Sequence, residues 1–171
     1  MTGGEPSAPE PVRADHHFTT FDSGVPALDD WLKKRALQNE VAGASRTLVS
    51  CAGGRVVGFY SLAAASVNHG VATSRARRNT PDPIPAIVLG RLAVDTAFQG
   101  RGLGASLLQD AVLRAAGAAD AIGVRVLLVH ALSDDAKRFY ERYGFRASPV
   151  EPMTLMVTLE ELRRAAAGDG G

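Results

Sequence analysis

Apolar residues recur along the chain with two different spacings, and these predict an alternation of helices and strands. From Pro26 to Asn39 the apolar positions fall three or four residues apart, which predicts an amphipathic helix. Two β-branched and aromatic runs, Arg46–Cys51 and Val56–Leu62, flank a Gly-Gly turn signal and predict a β-hairpin. Residues 64–85 show neither spacing, and their arginines and prolines predict an irregular segment, either a long exposed loop or a ragged sheet edge.

The rest of the chain continues the alternation. The predicted elements are a strand over Ala86–Val94, a helix over 102–122, an apolar strand over Val124–His130, a helix between the cap Ser133 and the stop Gly144, a strand over Met153–Thr158 and a short helix from Glu160. This order predicts an α/β (or α+β) domain whose mixed central sheet has about six strands and helices on both faces. Residues 1–14 are rich in Pro, Gly and Ser and predict a disordered tail, so the folded domain is expected over 15–167.

Charge is unevenly distributed along the chain. The net charge is +1, but residues 31–101 hold ten Lys and Arg against three acids, so this section carries +7 and the remainder −6. Such segregation predicts a basic face that meets a polyanion. No apolar run approaches the roughly 20 residues that span a bilayer, so we expect no membrane association and a cytoplasmic protein. The single cysteine, Cys51, excludes an internal disulfide and is expected to be a small core residue.

A glycine-rich turn, Gln99–Gly104, joins a predicted strand to a predicted helix. Gly102 and Gly104 allow the backbone to bend and an anion to approach successive N–H groups. The helix start adds the positive end of its dipole, and Arg101 can add a charged donor, so a diphosphate is the expected ligand. The glycine spacing differs from the dinucleotide pattern G-x-G-x-x-G, and the lysine of a P-loop is missing. A purely structural turn is the alternative.

The segments Leu92–Asp95, Gln99–Gly104 and Ala136–Phe145 together resemble the GNAT N-acetyltransferase superfamily. The phosphate loop of that family has Gln or Arg, then Gly, then Gly or Ala at a fixed spacing, which is matched here by Gln99, Gly102 and Gly104. The resemblance implies the GNAT fold and acetyl-CoA as co-substrate. It also implies cofactor contacts from the end of one strand and from the loop, namely Leu92, Ala93, Val94, Gln99, Gly100, Arg101, Gly102, Leu103 and Gly104.

The same resemblance places the general acid at Tyr140. A phenol has a pKa of about 10, so it is protonated at neutral pH and can donate to a departing thiolate. For a general base the candidates Glu40, Asp95, His130 and a water stay open. An α-amino group has a pKa of about 7.7–8.0, against about 10.4 for lysine, so an aminoacyl amine needs less help from a base.

A narrower resemblance, to TacT-type GNAT toxins, rests on Phe21–Gly24, Leu28–Leu32, Leu89–Val94 and Val129–Ala131. Such toxins acetylate the α-amine of aminoacyl-tRNA and stop translation, and each is encoded with a ribbon-helix-helix antitoxin. The resemblance implies these two partners and is compatible with a homodimer. It assigns tRNA contacts to basic residues of the middle section: Lys33, Lys34, Arg35, Arg75, Arg77, Arg78 and Arg91.

Two alternatives stay open. The enzyme could instead acetylate a small-molecule amine or a protein N-terminus, with the arginines serving CoA or solubility. The second alternative is a GNAT-fold domain without catalytic activity that acts only as a binding partner. The retained phosphate loop and Tyr140 argue against this alternative.

Overall fold

The computed structural model describes residues 4–168. Within them, seven strands form one mixed sheet: β1 (Glu10–Pro11), β2 (Arg46–Ala52), β3 (Arg55–Val67), β4 (Ile84–Val94), β5 (Val126–His130), β6 (Arg146–Ala147) and β7 (Thr154–Thr158). The hydrogen-bonded order is β1-β2-β3-β4-β5-β7-β6. The chain divides into two compact units, and β3 and β4 each run through both. Within the described residues, the first unit holds residues 4–63 and Gly90–Ala111, and the second holds Ala64–Leu89 and residues 112–168.

In the first unit the helix predicted from Pro26 is present as three consecutive segments. Helix α1 (Pro26–Trp31) leads into a π-helical stretch (Leu32–Ala36) and then into α2 (Leu37–Ala42). Gly43 ends α2 with a left-handed φ of 76°. The buried face of this helical segment joins one apolar cluster with β2 and β3, in which Trp31 stacks on Phe59 at 6.0 Å between ring centroids.

The hairpin of the first unit is confirmed. Strands β2 and β3 pair antiparallel from Arg46–Leu62 to Ala52–Arg55, with a register shift between Ser50 and Cys51. Helix α4 (Leu103–Ala121) begins in this unit, close to Gly58. A Cβ on Gly58 would lie 3.0 Å from the Leu107 side chain, so glycine here permits close contact between helix and strand.

The N-terminal segment differs from the predicted disordered tail. Glu10–Pro11 pairs with β2 as the edge strand β1, and Val12 is buried. Ser7 lies against β2 as well, since its N–H donates to the carbonyl of Cys51 at 2.8 Å. A proline is tolerated on an edge strand, and the burial of Val12 favours this pairing. Residues 1–3 lie outside the described residues, and the domain limits 15–167 stay a prediction.

In the second unit, β5 pairs in parallel with β4, from Ala86–Val126 to Leu89–Val129, and antiparallel with β7. The helices that lie entirely within this unit are α3 (Ser74–Arg77), α5 (Asp134–Arg142) and α6 (Leu159–Gly168). The predicted cap is present, since the Ser133 hydroxyl accepts from the N–H of Ala136 at 3.1 Å, and Gly144 has a left-handed φ of 95°. The prediction that residues 64–85 are irregular throughout is wrong. Strand β3 continues to Val67, and Thr73 caps the short helix α3.

Candidate functional site

The turn before α4 has the geometry of an anion-binding loop. Gly100 and Gly102 adopt left-handed φ values of 77° and 83°. The sequence placed the bend at Gly102 and Gly104, but Gly104 lies inside the first turn of α4, so Gly100 is the second bending residue. The N–H of Ser106 donates to the carbonyl of Gly102 at 3.1 Å. Because this bond belongs to the first helical turn, the N–H groups of residues 103–105 are geometrically suited to donate to a phosphate.

The side chain of Gln99 holds this loop in place. Its amide nitrogen donates to the carbonyl of Val94 at 2.8 Å and to that of Ser23 at 2.9 Å. Both amide protons of Gln99 are therefore used within the protein. This geometry favours a positioning role for Gln99, which joins the loop to the end of β4 and to the segment before α1.

Asp95 fixes the other end of the same connection. Its buried carboxylate accepts from the backbone N–H of Ala97 at 3.0 Å, from that of Asp22 at 3.1 Å and from the Arg55 guanidinium at 3.0 Å. Burial alone would raise the pKa of Asp95, but these hydrogen bonds and the Arg55 charge outweigh it and lower the pKa. A carboxylate held by three donors is poorly suited to be a general base.

A cavity of about 770 Å³ adjoins the loop within the first unit. It is lined by Arg101, Gly102 and Leu103, by Phe98, and by the N-terminal segment Gly4–Pro9. The Arg101 guanidinium lies 5.0 Å from the centre of the Phe98 ring, a cation–π distance that keeps this charge beside the loop. The loop residues therefore fit a diphosphate, because they supply backbone donors and one cation and include no acidic side chain, although Glu5 also lines the cavity.

The predicted cofactor strand residues Leu92, Ala93 and Val94 are the last three of β4. Ala93 is buried in the first unit's apolar cluster, and its two neighbours are half-buried. The parallel pairing given above ends at Leu89, and β4 continues for five residues beyond it. The last of these, Val94, is the residue whose carbonyl Gln99 binds.

Tyr140 lies in the second unit, on α5. Its ring is buried between Phe139 and Phe145, at centroid distances of 5.2 and 5.5 Å. Burial raises its pKa to about 12, so the phenol stays protonated at neutral pH. No hydrogen bond from its hydroxyl to residues 4–168 is present, which leaves the proton available to a ligand. Tyr143 contacts Phe139 and is partly exposed.

The other base candidates have different surroundings. Glu40 lies 3.4 Å from the Arg46 guanidinium, which favours a surface ion pair. His130, at the exposed end of β5, places Nδ1 3.1 Å from the Thr154 hydroxyl.

Four of the predicted tRNA-contacting residues lie in the first unit. Lys33, Lys34 and Arg35 are exposed together on the π-helical stretch. Arg91 is different, because its guanidinium lies 4.2 Å over the Trp31 ring and burial lowers its pKa. Its charge is already partly desolvated and stacked, so a phosphate would have to compete with the indole.

The other three lie on or next to α3 in the second unit. Arg75 pairs with Glu161 at 2.7 Å, whereas Arg77 and Arg78 are exposed and form no ion pair with residues in the described part of the chain. The structure thus groups the exposed predicted contacts into two sets of three. The segment Phe21–Val25, to which the sequence assigned no role, contacts Gln99 of the loop through Ser23 and contacts Asp95, at the end of β4, through Asp22.

Glu10, His16 and Cys51 bring three potential metal ligands within 4.8 Å of one another. The backbone N–H of Arg13 donates to Nδ1 of His16 at 2.8 Å, so Nε2 carries the proton and donates to Glu10 at 2.7 Å. No ring nitrogen of this histidine is then left to bind a metal. Cys51 is half-buried, and burial raises the pKa of its thiol, which agrees with a structural role.

Residues 43–147 match the acetyltransferase (GNAT) domain family, and the chain belongs to this family. It is an acetyl-CoA-dependent N-acetyltransferase. Among its relatives is a tRNA-acetylating toxin of Mycobacterium tuberculosis, which is 53% identical over 95% of this chain and 98% of the relative. Residues 4–168 contain no helix with the length and apolarity to cross a membrane.

Two solved structures show the same similarity. The toxin AtaT complexed with acetyl-methionyl-tRNAfMet has a TM-score of 0.85 and 26% identity, covering 93% of this chain and 98% of that one. A mutant of AtaT bound to acetyl-CoA and the C-terminus of the antitoxin AtaR has a TM-score of 0.79 and 27% identity, covering 93% and 97%.

Proposed function

We propose that this chain is a toxin that acetylates the α-amine of aminoacyl-tRNA with acetyl-CoA and thereby blocks translation. The observation that carries the proposal is the 53% identity, over nearly the full length of both chains, to a tRNA-acetylating toxin. The phosphate loop and the protonated Tyr140 supply the parts that acetyl transfer needs.

Acetyl-CoA supplies a thioester whose carbonyl carbon an amine can attack. The N–H groups of residues 103–105 and the Arg101 guanidinium bind its diphosphate, with Gly100 and Gly102 providing the bend. The backbone of Leu92, Ala93 and Val94 pairs with the pantetheine arm. In this assignment Gln99 acts indirectly on cofactor binding, because its hydrogen bonds to the carbonyls of Val94 and Ser23 position the loop.

Tyr140 gives its proton to the departing thiolate. The pKa of about 12 means that the phenol is protonated in essentially every molecule at neutral pH. The phenol therefore stabilises the thiolate first by a hydrogen bond, as charge develops on sulfur.

The two exposed basic sets bind the tRNA backbone in this proposal: Lys33, Lys34 and Arg35 in the first unit, Arg75, Arg77 and Arg78 in the second. Arg91 was included with them from the sequence, but its stacking on Trp31 favours a local role near α1. Each phosphate contact made by a cation steepens the salt dependence of binding.

A ribbon-helix-helix antitoxin and a second copy of this chain are the proposed protein partners. Support for an antitoxin comes from the AtaT structure with the AtaR C-terminus. The cytoplasm is the proposed location, because charged tRNA is found there.

The test is to incubate the enzyme with labelled acetyl-CoA, total charged tRNA and free amines. We expect label on the charged tRNA, released by mild base together with the amino acid. Label confined to free amines or protein N-termini would support the alternative acceptor. No transfer by a protein that still binds acetyl-CoA would support an idle binding domain.

A paired charge deletion tests the tRNA surface. Replacing Arg77 and Arg78 by Gln should weaken tRNA binding and lower the slope of log K against log salt by about 1.4–1.8, since each lost contact contributes about 0.7–0.9. The matched control, Arg163→Gln with Arg164→Gln on α6, removes the same charge and should leave the slope unchanged. Equal effects from the two pairs would argue that net charge alone matters.

A further inference from the structure

A second cavity, of about 180 Å³, lies at the end of β5 in the second unit. Its polar lining comes from His130, Thr154, Glu151 and Asn68, and its apolar lining includes Leu128. His130 and Thr154 face each other as a pair in the antiparallel β5–β7 ladder. None of these residues has a role in cofactor binding as described above, and the cavity is large enough for an amine with a short side chain.

The hydrogen bonds around His130 favour one tautomer, because the Glu151 carboxylate can only accept. The Thr154 hydroxyl has one proton, which it donates to Glu151 Oε2 at 3.2 Å. It can therefore only accept at its contact with His130, so Nδ1, at 3.1 Å, carries the ring proton. Nε2 of the neutral ring is then left with its lone pair. A base held by a hydroxyl that is itself held by a carboxylate has the arrangement of an oriented general base.

Acetyl transfer needs a base even when the acceptor amine is neutral. When the amine nitrogen bonds to the thioester carbon, it becomes positively charged and expels itself again unless a proton leaves. Of the side chains considered as bases, Asp95 is engaged by three donors and Glu40 pairs with Arg46. His130 has an unused nitrogen and is exposed at the end of its strand.

We propose that His130 is a catalytic residue, the base that receives the proton of the attacking amine through Nε2, and that Thr154 and Glu151 are its positioning residues. In this step the N–C bond forms, the C–S bond breaks, and one amine proton passes to Nε2. The thiolate takes its proton from Tyr140, and solvent then removes the proton of His130 and reprotonates the tyrosine. The inference rests on the proposed acetyl transfer and adds the acceptor side of the site.

The surroundings of His130 within the second unit support this role. It is one residue beyond Val129, which forms the last parallel pair with Leu89 of β4. Its ring contacts the hydroxyl of Thr154, which is a buried residue whose N–H donates to the carbonyl of Glu151 at 3.0 Å.

The main test compares His130→Gln with wild type in single-turnover transfer from acetyl-CoA to charged tRNA. We expect the rate constant at saturation to fall about 100-fold, the scale of a lost general base, with the acetyl-CoA dissociation constant unchanged. His17→Gln, at another exposed histidine, should behave as wild type. A His130→Gln rate within threefold of wild type overturns the proposal, as does a loss confined to the acceptor KM.

Two further measurements distinguish a catalytic role of His130 from a purely structural role. Imidazole added to His130→Ala should restore the rate in proportion to its concentration, and an absence of rescue in a folded variant counts against the base. ¹⁵N NMR of the ring, assigned with His130→Gln, should show the Nδ1–H tautomer in wild type and in Thr154→Ser but a mixture in Thr154→Val. An Nε2–H tautomer in wild type overturns the proposal.

The outcome also distinguishes the two proposals. If wild type transfers acetyl to an amino-acid amide but not to charged tRNA, the proposed tRNA substrate fails. The His130→Gln comparison is then made with the amide, where the same 100-fold loss in rate is expected for a lost base. Loss with the amide supports His130, and a rate within threefold overturns it.

Discussion

Asp95→Asn should destabilise the protein although the two side chains have nearly the same size and shape. The buried carboxylate accepts hydrogen bonds from Ala97, Asp22 and Arg55 at 3.0–3.1 Å. An asparagine offers one oxygen and directs an NH₂ group at the remaining donors. The substitution therefore places donor against donor in a site from which water is largely excluded.

The magnitude follows from these contacts. A hydrogen bond to a charged group contributes about 1.5–3 kcal/mol, and one of the two backbone N–H groups would lose its acceptor. The Arg55 side chain is 33% exposed, so its ion pair with Asp95 contributes only about 1 kcal/mol after solvent screening. We expect a total loss of about 3 kcal/mol in the free energy of unfolding.

Urea unfolding measures this loss in the free energy of unfolding, provided that the denaturant slope m is the same for both proteins. The control is Asp120→Asn, an exposed partner of Arg163 with 73% of its side chain accessible, which should change stability by less than about 0.5 kcal/mol. A double-mutant cycle with Arg55→Gln should give a coupling energy of about 1 kcal/mol. If Asp95→Asn costs no more than Asp120→Asn, the assignment of Asp95 as the anchor of this loop is wrong.

The pH dependence has a definite sign. The pKa of Asp95 is lowered in the folded protein, so its contribution is fully present above the unfolded value of about 3.9 and is lost as pH falls through the folded value. The stability difference between wild type and Asp95→Asn should stay constant from pH 5 to 8 and shrink below about pH 4. A difference that instead shrinks toward pH 8 would contradict the lowered pKa.

Three further substitutions test separate parts of the structure. Tyr140→Phe should lower turnover by about 100-fold while calorimetry shows unchanged acetyl-CoA affinity; an unchanged turnover would remove the phenol from the chemistry. Gly102→Ala meets no atom within 4 Å but must keep a φ of 83°, so thermal unfolding should show a loss of about 1–2 kcal/mol and acetyl-CoA should bind more weakly; an effect on neither would mean that the loop relaxes. Ser133→Ala removes the cap of α5 and should cost about 1 kcal/mol in urea unfolding, with Ser133→Asp close to wild type.

Local signals explain what the sequence predicted well. The Gly-Gly turn, the Ser133 cap and the Gly144 stop act on residues within four positions, and each is confirmed. The loop at Gln99–Gly104 is recognisable for the same reason, since its chemistry depends on backbone freedom next to a helix start. Its second bending glycine was misplaced because helix α4 begins at Leu103, and boundaries are the least certain part of a pattern.

Contacts between distant residues were not predictable. Asp22 and Asp95 are 73 positions apart, and Ser23 and Gln99 are 76 apart, so no periodic pattern links them. Strands β1 and β6 have two residues each, too short for an alternation to appear. Their pairing depends on contacts with the neighbouring strand, and local β-propensity carries no information about those contacts.

The basic section shows why a count of charges overstates a binding surface. Seven cationic residues were assigned to tRNA contacts from the sequence. The structure shows that they differ in the interactions each would have to give up to bind a phosphate. Arg75 is exposed and pairs with the half-buried Glu161, so it would have to leave this partner to bind a phosphate. Arg91 would have to give up its stacking on Trp31 in a partly buried site. Arg91 is therefore the cation in this group that is least available to bind RNA. The salt dependence of tRNA binding should come from the two exposed sets.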